Sequence, residues 1–197
     1  VVDIGGRSTE LILGQGLQAQ TLESYRLGSV AWSMKYFPDG QFSARAFEVA
    51  EIAAKAVLEE AGSLYRAGTW DVAYGSSGTI GAVGEILGAA GWPAGLLTRD
   101  GLDWLLERLL KAQSAERLKI EGIKEERRAV IGGGISVLRA VFDLLGIQEM
   151  QAAQGALRHG VLYDLLERDH ELSDLRTASV QRLASKFQTD AAQAGRL

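Results

Sequence analysis

Apolar residues change their spacing several times along this chain, and the changes divide it into strands and helices. Residues 1–5 begin with β-branched Val1 and Val2 and pass through Asp3 and Ile4 to the pair Gly5-Gly6. A second apolar run, Leu11-Ile12-Leu13, lies within residues 10–14, and residues 17–26 continue as an extended stretch after Gly14-Gln15-Gly16. These runs and their glycine punctuation predict three consecutive strands joined by tight turns. Residues 29–37 predict a short helix, stopped by Pro38-Asp39-Gly40. Ser43 is placed to cap a long helix, with Glu48 and Glu51 in its early turns. Phe47, Ile52, Ala53, Val57 and Leu58 recur there at helical spacing, and the helix is expected to reach Ala67 and end at Gly68.

The second half alternates. Residues 70–74 read as a short strand, and Gly75-Ser76-Ser77-Gly78 turns the chain into a helix reaching Leu87. Residues 88–97 read as a Gly-rich loop. Residues 100–112 are amphipathic, with Leu102, Leu105, Leu106, Leu109 and Leu110 on one side. Residues 124–145 predict a further helix with Gly132-Gly133-Gly134 near its middle. Helix-interior glycines cost about 1 kcal/mol each relative to Ala, so either a break or close backbone packing is expected there. Residues 147–153 read as the last strand and 155–168 as the last helix. Residues 169–174 form a polar linker, 175–187 read as a helix, and 190–197 as the start of another. The expected order is β-β-β-α-β-α-β-α followed by a short helical C-terminal stub, an α/β arrangement. The expected domains are 1–168 and 169–197.

Composition narrows the classes. The 197 residues are 47% hydrophobic and 23% charged, those of a globular chain large enough for a substantial core. A net charge of −4 gives no overall electrostatic case for nucleic acid or an acidic membrane. A polyanionic substrate therefore requires a local basic site or a metal. The absence of Cys excludes disulfides, thiolate metal sites and Cys nucleophiles. It fits a cytoplasmic location, which is the expectation. No apolar run reaches the 18–20 or so residues of a membrane span, and no signal peptide is visible. The chain has no initiator Met and opens inside a strand, so further residues are expected before Val1. With two histidines, His159 and His170, a His-based metal site is not expected.

The candidate chemistry is concentrated in the first ten residues. Glycines in a tight turn let backbone N–H groups approach an anion, so Gly5, Gly6, Ser8 and Thr9 read either as phosphate donors or as an ordinary hairpin turn. Asp3, at the end of the first strand, reads as a ligand of a hydrated divalent metal or as a cap on its own turn. Glu10 reads as a carboxylate that orients an attacking water or as a solvated strand residue. Gly75, Ser76, Ser77 and Gly78 lie between a strand and a helix, where backbone N–H groups form a natural anion site, though a Ser cap serves the same sequence. Arg127 and Arg128, a basic pair before the glycine run, read either as cations facing a phosphate tail or nucleotide or, as the favoured reading, as a charged first helical turn followed by close packing on the sheet.

The stretch Asp3-Ile4-Gly5-Gly6-Arg7-Ser8-Thr9-Glu10 resembles the second phosphate-binding loop of the exopolyphosphatase / guanosine pentaphosphate phosphohydrolase family. Tyr25-Arg26-Leu27-Gly28-Ser29-Val30, Gly75-Ser76-Ser77-Gly78-Thr79-Ile80, Glu126-Arg127-Arg128 through Gly134, and Gly155-Ala156-Leu157-Arg158 through Leu162 follow in the family's order. The resemblance implies the second ribonuclease-H-like half of an actin-like ATPase fold. It implies Glu10 as the catalytic carboxylate, Asp3 as a magnesium ligand and Mg2+ as cofactor. Gly5, Gly6, Ser8, Thr9 and residues 75–78 would handle phosphate. The expected reaction is release of terminal orthophosphate from inorganic polyphosphate. The alternatives are hydrolysis of guanosine pentaphosphate and a non-catalytic actin-like nucleotide-binding module. The expected partners are that substrate, an N-terminal actin-like half of the same protein, and a second copy in a homodimer, with neither nucleic acid nor a membrane span. Arg7 departs from the family pattern, which has a small residue there. Pointing outward, it leaves the loop unharmed; pointing into the cleft, it adds a cation aimed at phosphate.

Overall fold

The computed structural model describes residues 1–16, 18–155, 157–167, 180, 183–184 and 186–187. The chain divides into two compact units, Val1–Gln154 and Gly155–Leu197. In the first, β1 (Val2–Ile4), β2 (Thr9–Gln15) and β3 (Gln18–Tyr25) form an antiparallel meander. Then come α1 (Ser29–Tyr36), α2 (Ala44–Val57), α3 (Ala61–Leu64), β4 (Tyr74–Ser76), α4 (Ser77–Ala89), β5 (Leu96–Thr98), α5 (Arg99–Ala112), α6 (Glu125–Arg128), α7 (Ile131–Leu145) and β6 (Glu149–Ala152). One sheet holds all six strands in the order β3-β2-β1-β4-β6-β5. The pairs β1–β4 and β4–β6 are parallel, and β5 adds an antiparallel edge. The second unit contains α8 (Leu157–Glu167). The expected linker at 169–174 and the stretch 190–197 lie outside the described residues, as does most of 175–187.

The α/β arrangement and the opening meander are as expected, but four details differ. The predicted helix to Ala67 breaks at Leu58, which is fully buried, and the chain rolls into α3 through the tightened pairs Ala61 N–H to Leu58 O, Gly62 N–H to Glu59 O and Ser63 N–H to Glu60 O. The predicted strand at 70–74 lies later, at Tyr74–Ser76, so Gly75 and Ser76 belong to a strand rather than to a loop. The predicted loop at 88–97 contains the start of β5, so the sheet gains a strand that the simple alternating order lacks. The predicted helix at 124–145 is two helices, α6 and α7, separated at residues 129–130.

That last break puts the three glycines in the first turn of α7, where they permit a close approach. A Cβ at Gly133 would lie 2.5 Å from Ser29 O and 2.6 Å from Ser33 Oγ of α1, and one at Gly132 would meet Phe37 and Phe42. The Gly133 N–H donates to Ser33 Oγ over 3.0 Å. α7 is therefore the central helix: it packs on α1, α2, α4 and α5 and buries Ile135, Val137, Leu138, Val141 and Phe142. Ser43 caps α2, its hydroxyl accepting from Ala46 N–H over 3.1 Å.

Candidate active site

The register of the meander brings the two candidate carboxylates together. Asp3 lies directly opposite Glu10, between the pairs Val2–Leu11 and Ile4–Thr9. Val2, Ile4, Thr9 and Leu11 turn into the core and are buried, so Asp3 and Glu10 occupy the other face, both half-buried. The row extends in both directions. Ser24 of β3 is opposite Glu10 and its hydroxyl donates to Glu10 Oε1 over 2.8 Å. Ser76 of β4 is in register with Asp3. Ser24, Glu10, Asp3 and Ser76 therefore form one line across four strands.

Beside this line the chain reverses at Gly5-Gly6-Arg7-Ser8, closed by Gly5 N–H to Ser8 O over 2.9 Å. The carbonyls of the reversal point toward α1: Gly5 O accepts from Ser29 N–H, and Gly6 O from Val30 N–H and Ala31 N–H. No group among the described residues accepts from the N–H of Gly6, Arg7 or Ser8. The reversal thus uses its acceptors internally and keeps donors in reserve, which suits an anion. Gly28 makes this docking possible. A Cβ there would lie 2.5 Å from Arg7 N, 2.6 Å from Gly6 C and 2.7 Å from Gly5 O, all backbone atoms.

The other predicted residues divide. Thr9 is fully buried and its hydroxyl donates to Leu27 O over 2.8 Å, so the side chain fastens β2 to the start of α1 instead of facing phosphate. Gly75 is buried, and a Cβ there would meet Met150 Sδ at 2.5 Å and Ile80 at 2.9 Å. Its missing side chain serves packing under the sheet, correcting its assignment to a phosphate loop. Ser76 remains beside Asp3, Ser77 starts α4 with φ +78° and is exposed, and Gly78 is half-buried. Arg7 is exposed and has no ion pair among the described residues. The start of α4 is fixed to β1 by Thr79 Oγ1, which donates to Ile4 O over 3.3 Å.

Ser24 was not legible as a contributor, and Arg127 was legible only as one of two readings. Ser24 requires the β2–β3 register, which shifts between Leu13 and Gly14 and which no motif announces. Arg127 is brought from α6 to the start of α4, where its guanidinium lies against Gly78. Its neighbour Arg128 pairs with Glu125 over 3.2 Å, while Arg127 has no carboxylate partner among the described residues. Among the described residues no three His, Cys, Asp or Glu side chains cluster as a metal site. Asp3, half-buried and without a described side-chain partner, nevertheless fits the expected magnesium ligand, since magnesium is typically held by one or two carboxylates together with substrate phosphates and water. A groove of about 680 Å³ opens elsewhere, lined by Leu13, Gln15, Tyr65, Trp70 and Val72 among others, and includes none of the carboxylate row. No helix among the described residues is long and apolar enough to cross a membrane.

The model of the Ppx/GppA phosphatase family matches residues 1–169. The guanosine-5'-triphosphate,3'-diphosphate pyrophosphatase of Vibrio vulnificus is 40% identical over 190 residues, 96% of this chain and 38% of that protein. The protein of the same name from Aeromonas hydrophila is 39% identical over 197 residues, 100% of this chain and 39% of its own. The chain thus spans about two fifths of the length of these relatives. Among solved structures, the Aquifex aeolicus PPX-GPPA enzyme superposes with a TM-score of 0.70 at 20% identity, over 82% of this chain and 55% of that one. An exopolyphosphatase from Cytophaga hutchinsonii gives 0.65 at 23% identity, over 84% and 56%. At these identities the likeness is one of fold.

Proposed function

The chain belongs to the Ppx/GppA phosphatase family, and from that membership we propose that it contributes the Asp3–Glu10 side of a site that hydrolyses guanosine pentaphosphate. The observation that carries a phosphoanhydride hydrolase is the cross-strand pair Asp3–Glu10 beside a reversal with three uncommitted N–H donors. The names of the relatives at about 40% identity favour the guanosine substrate over polyphosphate, which the motifs had put first.

In this reading the terminal 5′ phosphate lies against the N–H groups of Gly6, Arg7 and Ser8. Glu10, steadied by the Ser24 hydroxyl, orients a water in line with the terminal phosphorus and accepts its proton. The new P–O bond forms as the bridging P–O bond breaks. Orthophosphate and guanosine tetraphosphate leave. Asp3 would hold magnesium, which when bound offsets charge on the phosphate oxygens. Arg127, uncompensated by any described carboxylate, stands ready for a further phosphate oxygen.

The test is orthophosphate release by the full-length protein, offered guanosine pentaphosphate and polyphosphate in parallel, with and without magnesium. A higher kcat/KM for guanosine pentaphosphate supports the proposal. Preference for polyphosphate makes the protein an exopolyphosphatase, and binding without hydrolysis of either makes it a nucleotide-binding module.

A further inference from the structure

Gly78 has no evident conformational reason to be glycine. It is the second residue of α4 and its φ lies outside the left-handed region, so Ala, the better helix former, would be accepted by the backbone. Space supplies the reason. The three heavy atoms nearest to a Cβ built at Gly78 all belong to the Arg127 guanidinium: Cζ and Nη1 at 2.6 Å, and Nη2 closer still. Outside its chain neighbours and the backbone of its own helix, no other atom comes as near.

The guanidinium occupies an unfavourable place for a cation. It lies at the start of a helix, where the dipole is positive, and no carboxylate among the described residues pairs with it. Glu125, on the same short helix, is engaged by Arg128. The position is also next to the carboxylate row: two residues before Gly78, Ser76 is in register with Asp3, and one residue after it, Thr79 bonds to Ile4 O. A cation held there is compensated when a phosphate chain extends past Asp3.

We propose that Gly78 is a positioning residue: by lacking a side chain it admits the Arg127 guanidinium against the start of α4, two residues after Ser76, and so sets the affinity of the site for a phosphate chain. The inference rests on the phosphohydrolase reading and adds to it the device that places Arg127. A methyl group at residue 78 displaces the planar end of Arg127, which is flexible enough to move without disturbing the core. The effect therefore falls on anion binding and spares stability.

The experiment is a double-mutant cycle in the full-length protein, in a Glu10→Gln background so that the probe is not consumed. The probe is inorganic tripolyphosphate and the readout is its Kd by calorimetry, with a thermal melt of each variant. Gly78→Ala and Arg127→Ala are each expected to weaken binding about tenfold, the lower end for a charge-assisted hydrogen bond. The double variant is expected to bind no more weakly than Arg127→Ala alone, and Gly78→Ala to melt no lower than its background. An unchanged Kd in Gly78→Ala, effects that multiply in the double variant, a lowered melting temperature, or no tripolyphosphate binding at all would each overturn the inference. Hydrolysis by the wild-type protein is scored separately. Activity with an unaffected Kd removes only the role of Gly78, whereas a linked Kd without activity removes the phosphohydrolase reading.

Discussion

Glu10 and Asp3 are adjacent in space because an antiparallel register pairs them, yet their surroundings assign them different work. Glu10 accepts a hydrogen bond from the Ser24 hydroxyl, which fixes one carboxylate oxygen and leaves the other for water. Glu10→Gln keeps the shape and removes the proton acceptor. In the full-length protein kcat is expected to fall by about 10²–10⁴-fold with little change in KM, as for loss of a general base; a steady-state comparison checks this, and a mutant retaining most of its kcat removes Glu10 from the chemistry. Asp3 has no described hydrogen-bond partner in its side chain and sits between Glu10 and Ser76. Asp3→Asn is expected to shift the magnesium titration to higher concentration while the melting temperature holds, because one negative charge facing the cation is lost. An unchanged titration makes Asp3 a strand residue without a metal role. Both carboxylates could be read from the sequence because they lie in one contiguous stretch of ten residues. Ser24 could not, since it depends on strand register, and Arg127, which the sequence left between a phosphate-facing cation and a charged helical turn, is placed only by the approach of α6 to α4.

Elements with strong periodicity were legible: the meander, α1, the capped start of α2 and the leucine face of α5 all lie where their patterns place them. Elements defined by tertiary contact were not. β5 is three residues long and gains its identity from pairing with β6, which no local pattern records. The α6–α7 break and the use of Gly132–Gly134 depend on α1. Gly28 belongs to the same class. Gly28→Ala drives a methyl into the backbone of Gly5, Gly6 and Arg7, so the reversal must shift. The expected cost is about 1–3 kcal/mol, as for overpacking elsewhere, together with a fall in kcat/KM; a melt and an assay on the same sample check both, and a mutant equal to wild type in the two would show that the reversal does not depend on that contact. A second element-scale prediction concerns the tie between α2, α5 and α7. Although partial burial alone would raise it, Lys55 at 2.6 Å and Arg99 hold the Asp143 carboxyl below its usual range. A depressed folded value means that the tie is intact above about pH 4, the ordinary range of Asp, and is lost as pH falls through the folded value. The melting-temperature gap between wild type and Asp143→Asn is expected to be wider at pH 7 than at pH 3. An equal gap at both would show that the ion pairs contribute nothing.

At the scale of the molecule, the described site is one-sided. The carboxylate row, the reversal and Arg127 are contributed by strands and helix ends of one compact unit, Val1–Gln154. In-line phosphoryl transfer has two requirements: donors on the transferred phosphate and a wall that excludes bulk water from the attacking and leaving oxygens. Candidates for the first are the unaccepted N–H groups of Gly6, Arg7 and Ser8, whereas Arg7, Gly6 and Ser24 are all exposed beside the proposed phosphate position. The relatives at 38–40% identity are about two and a half times as long as the matched region, which leaves room for the opposing wall in such proteins. Residues 1–197 alone are therefore expected to bind tripolyphosphate weakly and to release almost no orthophosphate from guanosine pentaphosphate, while the full-length protein turns it over with magnesium. The comparison is informative only on a folded sample, so circular dichroism and a cooperative melt accompany the assay. Magnesium-dependent turnover by folded 1–197 near the full-length rate would place the complete catalytic apparatus within the carboxylate row and its neighbours. Exposed Gly6, Arg7 and Ser24 would then have to act in contact with bulk water, and the catalytic requirement for an opposing half would be withdrawn.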